Sequence, residues 1–192
     1  MEGFSDKETD IYAPKIGRRV ELTEGEKRLV TKIVKLREKE NERNNVHDRK
    51  MSDRSSRDIN LDGYGAEFAF CKLFGTSLDK THYSRGVSSD AGDTQLPSGK
   101  WVDVKCPRTK DLMTPVWKSK ARADYYAMMV GSFEEGFEFR GLIQKEDFFQ
   151  DRRRKMIRVE SFVVPQKDLK ELWQIERPES APVLDSPEQK AA

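Results

Sequence analysis

The residues of this chain best placed to do chemistry fall between Gly92 and Lys105, where two aspartates, Asp93 and Asp103, precede a lysine, Lys105. From Trp101 to Cys106 polar and apolar residues alternate, so a strand there sets Trp101, Asp103 and Lys105 on one face and Val102, Val104 and Cys106 on the other. Pro97-Ser98-Gly99-Lys100 has the composition of a turn, which folds Asp93 to Leu96 back as a second strand and brings Asp93 towards Asp103. Two carboxylates held that close repel each other unless a cation lies between them. Mg²⁺ answers that need, because it takes one or two carboxylates, keeps waters and leaves room for a phosphate. Lys105 then sets a positive charge beside an anionic substrate or holds a water nucleophile. The plain alternative is a solvated hairpin with Asp103 and Lys105 as a same-face ion pair, and the local sequence leaves both readings open.

Several elements must position these groups. Leu61 to Gly75 reads as a mostly buried helix: Leu61, Tyr64, Phe68 and Cys71 form one stripe, Ala66, Ala69, Phe70, Leu73 and Phe74 cover much of the rest, and Gly75 caps the end. Glu67 is the acid within its apolar part, where a carboxylate needs a partner or a metal, or else lies on a polar edge with Asp62 and Lys72. Gly63 and Gly65 weaken a helix, so close packing is expected at both. Upstream, Thr23-Glu24-Gly25-Glu26 fits a capping box and opens a helix from Glu24 to about Asn41. Residues before it read as an irregular arm. The mixed-charge stretch Arg37 to Arg57 reads as a solvated helix end or linker in preference to a DNA-contacting segment, with His47 exposed.

Thr81 to Arg85 reads as a short strand in which His82 is structural, and Gly86 to Gly92 as a small-residue loop. After Cys106, a loop through Pro115 and a short helix over Val116 to Ala121 are expected. The bases Arg108, Lys110, Lys118, Lys120 and Arg122 fall in or beside that stretch, where they serve as phosphate contacts or as an ordinary solvated face. Tyr125 to Val130 is an uninterrupted apolar run, as in a strand buried on both faces. Strands over Phe137 to Ile143 and Met156 to Val164 follow, the latter after the basic turn Asp151 to Lys155. A last helix starts at Pro165.

At 192 residues, 35% hydrophobic and 36% charged, the chain suits one domain with polar extensions. The expected division is an N-terminal arm and helical extension over 1–57, a core over 58–176, and a disordered tail over 177–192. A net charge of +2 does not by itself announce a nucleic-acid binder. Cys71 and Cys106 lack metal or redox spacing and read as small apolar core residues. No apolar run approaches the roughly 20 residues of a membrane span, and a cytoplasmic location is expected.

Glu67 on a buried helix, Asp93 at the head of one strand and Asp103-Val104-Lys105 on the next resemble, in order and spacing, the PD-(D/E)XK nuclease superfamily. The likeness runs from about Asp58 to Ile143. It implies an α/β (α+β), restriction-endonuclease-like α-β-β-β-α-β core with a mixed central sheet flanked by helices, here with an N-terminal helical extension. It also implies Mg²⁺, with Mn²⁺ able to substitute, held by Asp93, Asp103 and the Val104 carbonyl, with Glu67 as a further ligand directly or through water. Lys105 would orient or activate the attacking water. Gly92 replaces the family's usual proline, at a position expected to contribute backbone shape alone. The function expected is hydrolysis of phosphodiester bonds in DNA, by an endonuclease rather than an exonuclease, with no small-molecule cofactor, no membrane partner and room for a homo-oligomer. An RNA-specific nuclease, or a non-catalytic binding or assembly module on the same fold, is the alternative. Loss of Lys105 or Asp103 is expected to leave metal-free stability unchanged or slightly raised.

Overall fold

The computed structural model describes residues 11–43, 54–78, 92–116 and 122–176. Among these residues the chain forms β1 (Arg19–Val20), α1 (Glu24–Arg43), α2 (Ser56–Phe74), β2 (Thr94–Gln95), β3 (Trp101–Lys105), β4 (Asp111–Pro115), β5 (Tyr125–Ser132), β6 (Gly136–Gln144), α3 (Lys145–Phe148), β7 (Arg154–Met156), β8 (Glu160–Pro165) and α4 (Leu172–Ile175). The fold is mixed α/β. One mixed sheet runs in the order β1, β6, β5, β3, β2, with β3 and β5 parallel and the other neighbours antiparallel. A second, antiparallel sheet runs β4, β8, β7.

β5 anchors both layers because its apolar run is buried on two sides. Tyr125, Ala127 and Met129 join Val30 and Val34 of α1 and Ala66, Ala69, Phe70 and Phe74 of α2 in one core. Tyr126 and Met128 join Leu112, Phe148, Phe162 and Val164 in another, under the second sheet and α3. Each large apolar side chain so buried contributes about 1.5–3 kcal/mol.

The helix ends follow local chemistry. Thr23 N–H donates to Glu26 Oε2 at 2.7 Å and Glu26 N–H to Thr23 Oγ1 at 3.3 Å, the expected capping box. Ser55 Oγ accepts the Asp58 N–H at 3.1 Å to open α2, and Gly75 ends it in the left-handed conformation.

The buried face of α2 is Asp62, Gly65, Ala66, Ala69, Phe70, Cys71 and Phe74, whereas Leu61, Tyr64, Phe68 and Leu73 are only partly buried. The expected stripe is therefore rotated, because small residues let the helix lie close to the sheet. A Cβ on Gly65 would stand 2.7 Å from Phe137 Cζ, while one on Gly63 would meet nothing within 4 Å. Close packing explains the first glycine and not the second.

Other expectations change through long-range pairing. The arm contributes β1, which pairs Arg19 with Glu138 and Val20 with Phe137 of β6. The expected loop after Arg108 contains β4, whose Leu112 and Thr114 are buried against β8. The single strand expected over Met156 to Val164 is two, reversing between Met156 and Glu160, which face each other. Beyond Pro165 come a 3₁₀ turn, Gln166–Asp168, a bridge from Lys170 to Leu142, and only then α4. The expected strand over 81–85, the loop over 86–91, the helix over 117–121, His47, His82 and the tail over 177–192 lie outside the described residues. Among the described residues no helix is long and apolar enough to cross a membrane.

Candidate active site

Thr94 fixes the hairpin that carries the two aspartates. It is fully buried, and its hydroxyl donates to the Ser77 carbonyl at 2.7 Å and lies 3.0 Å from the Thr76 hydroxyl, tying β2 to the end of α2. β2 and β3 pair Thr94 with Val102 and Gln95 with Trp101, which leaves the five residues Leu96 to Lys100 as the connection. An odd connection is what brings Asp93 round beside Asp103. The turn closes through Gly99 N–H to the Leu96 carbonyl and Leu96 N–H to the Lys100 carbonyl, both at 2.9 Å. Along β3 the burial alternates as expected, with Val102 and Val104 inside and Trp101, Asp103 and Lys105 half-buried.

Among the described residues no strand continues this pairing past Val102, and Asp93 covers the edge so exposed. Its N–H donates to the Val102 carbonyl at 2.8 Å, and its Oδ2 accepts the Val104 N–H at 2.7 Å. The N–H and C=O of one strand residue point to the same side. The Val104 carbonyl therefore faces the edge that Asp93 occupies. Gly92 lies against the same strand with φ +139°, where a Cβ would come within 2.8 Å of the Val102 carbonyl oxygen. A proline, locked near −65°, satisfies neither the dihedral nor the space. Glycine at this position thus has a steric cause, and it determines the approach of Asp93 more directly than the sequence implied.

The amine of Lys105 is hydrogen-bonded to the Asp103 carboxylate, and the two side chains are 24% and 16% exposed. Burial opposes charge on that amine, but the carboxylates of Asp103, Asp93 and Glu67 outweigh it and hold Lys105 well above its ordinary value. Glu67 is half-buried on α2. Burial, then repulsion from Asp93, pushes its carboxyl well above the usual carboxylate range against the pull of Arg37 and Lys105, with Asp103 adding further repulsion. All four positions drawn from the sequence thus share one electrostatic environment.

Two contributors escaped the sequence reading. Arg37 lies in the stretch expected to be solvated, yet its guanidinium sits 5.0 Å from the centre of the Tyr64 ring and acts on Glu67. Its signal was spacing, since Val30, Val34 and Arg37 follow one another at i, i+4 and i+7 along the buried stripe of α1. Asp62, expected on a polar edge, is 6% exposed. It sits three and four residues before the buried Gly65 and Ala66, the spacing that could have placed it inside. Of the expected phosphate contacts, Arg108 ion-pairs with Asp62 at 3.0 Å, Lys110 and Arg122 are exposed, and Lys118 and Lys120 lie outside the described residues.

The chemistry of the donors suits a hard divalent cation: the carboxylates of Asp93 and Asp103 and the Val104 carbonyl are oxygen ligands, and Glu67 stands in a surplus of negative charge that a cation would relieve. Among the described residues no group of three or more His, Cys, Asp or Glu side chains is gathered to hold a metal ion. Mg²⁺ retains several waters and needs only one or two protein carboxylates. Cys71 is buried, Cys106 is half-buried and both are free thiols, in keeping with their expected apolar role.

The chain belongs to a family of unknown function (DUF5843), whose model matches residues 13–157. That span includes every group of the site just described. Among curated proteins no match to the chain is found.

Proposed function

We propose that this chain is a Mg²⁺-dependent nuclease of the PD-(D/E)XK, restriction-endonuclease-like kind, and that it hydrolyses phosphodiester bonds of DNA as an endonuclease. The observation that carries the reading is that Asp93 lies against β3, its Oδ2 taking the Val104 N–H, within electrostatic reach of Glu67 and of the Asp103–Lys105 pair. The succession of α2, β2 and β3, with β5 parallel to β3, supports it. β4, which lies in the second sheet, departs from the expected run of three neighbouring strands.

Asp93, Asp103 and the Val104 carbonyl would hold the cation, which supplies polarisation of the scissile phosphate and offsets charge developing on it. Lys105 does a different task. Its amine, hydrogen-bonded to the Asp103 carboxylate, would act as a donor that orients the attacking water or stabilises a phosphate oxygen. A binding-only module has no use for clustered acids that repel phosphate, which argues against the non-catalytic alternative.

Purified protein incubated with closed circular DNA, linear DNA and RNA in Mg²⁺ tests the proposal. Opening of the circle is expected, with loss of cutting in EDTA, in Lys105→Ala and in Asp103→Asn, the last also losing Mg²⁺ binding by calorimetry. Wild-type cutting by Lys105→Ala or in excess EDTA would sink the mechanism. Cleavage of RNA alone would reassign the substrate, and nucleic-acid binding without any product would favour the non-catalytic module.

A further inference from the structure

Asp62 makes an arrangement that goes beyond holding α2 in place. Its Oδ1 accepts the Phe133 N–H at 2.9 Å, and its Oδ2 alone accepts both Arg54 Nη1 at 2.8 Å and Arg108 Nη2 at 3.0 Å. A tie between α2 and the chain beyond β3 needs one arginine. Two over-compensate a single carboxylate and leave net positive charge, while each guanidinium carries five donors and spends one on Asp62. The Arg54 and Arg108 side chains remain 30% and 58% exposed, against 9% for Asp62. Burial resists the charge on Asp62, but the Phe133 N–H and the two arginines hold its carboxyl below the ordinary range, so the anchor stays ionised.

The position relative to Lys105 gives the pair a ligand. Arg108 follows Lys105 by three residues, and three residues of extended chain span at most about 10 Å. A DNA strand carries one phosphate per roughly 3.4 Å of axis. We propose that Arg54 and Arg108, oriented by Asp62 as a positioning residue, form a clasp for a backbone phosphate of nucleic acid flanking the one cleaved beside Lys105. This rests on the nuclease reading above for the identity of the chain held there. The fork geometry of two guanidiniums on a rigid carboxylate suits the oxygens of a phosphodiester and reads no base, so the clasp contributes affinity and register without sequence preference.

The test measures oligonucleotide affinity across a salt series with Ca²⁺ in place of Mg²⁺, so that binding is read without cutting. Arg54→Ala and Arg108→Ala are each expected to weaken binding about tenfold and to lower the slope of log K against log salt by about 0.7–0.9. In Mg²⁺ the same variants raise KM and leave kcat within about twofold. Arg108→Lys, which keeps the charge, restores the salt slope. Melting temperatures are recorded in parallel, because a purely structural tie would lower them and leave the slope alone. Unchanged slopes in both alanine variants overturn the clasp, as does failure of the wild-type protein to bind any nucleic acid. If Arg54→Ala does not fold, the more exposed Arg108 carries the test by itself. The nuclease reading fails separately, when Lys105→Ala still cuts.

Discussion

Replacing Lys105 with alanine in the absence of metal separates the structure from the sequence, which expects stability to stay level or rise. The Lys105 amine is bonded to Asp103, and both side chains are less than a quarter exposed. A charge-assisted hydrogen bond of this kind contributes about 1.5–3 kcal/mol, and its loss removes the cation on which Asp103, Asp93 and Glu67 all act. We therefore expect Lys105→Ala to lose about 2 kcal/mol, or about 4–8 °C in melting temperature for a chain of this size. The amine is held above its ordinary value in the folded state. Its contribution is therefore fully present below that ordinary value and vanishes only as pH rises through the raised one, so the whole effect is available at pH 7. Thermal melts of wild type and variant in EDTA at pH 7 measure it. A Mg²⁺ titration should then stabilise the variant more than the wild type, since the cation takes the place of the amine. A variant that melts in EDTA at or above the wild-type temperature would refute the argument.

The same cluster fixes a pH response. Because the Glu67 carboxyl is raised, metal-free stability should fall as pH climbs from the ordinary carboxylate range to that raised value, and Glu67→Gln should flatten the fall in denaturant titrations at several pH values. Gly63→Ala, with open space at its Cβ, should gain about 1 kcal/mol from helix propensity. Gly65→Ala, facing Phe137 at 2.7 Å, should lose about 1–3 kcal/mol through overpacking, and stabilities of equal sign would show that the helix seats otherwise. The Cys106 thiol is pushed up to about 12, by burial first and then by Asp62. Native protein should therefore resist alkylation of Cys106 at pH 8, as read by peptide mass, and rapid labelling would contradict that burial.

Local rules carried the sequence a long way. The capping box at Thr23, the glycine after Phe74, the alternation along β3, the turn before Trp101 and the doubly buried run of β5 each depend on side-chain period or backbone preference within a few residues. Those rules were enough to single out Asp93, Asp103 and Lys105 on a hairpin and Glu67 on a buried helix, whereas the expectation of one site came from their resemblance in order and spacing to the PD-(D/E)XK nucleases. Tertiary structure decided what lay beyond such short reach. Asp62 meets Phe133 across 71 residues and Arg108 across 46, and nothing local distinguishes a carboxylate that collects such partners from one left in water. The arm became a strand because β6 had an edge for it, and the segment after Arg108 became β4 because β8 lay opposite. Arg37 acts on Glu67 only because α1 packs across α2 at Tyr64. Periodicity indicates which face of an element turns inward, but the sign of the charge it meets there depends on the packing of all the others.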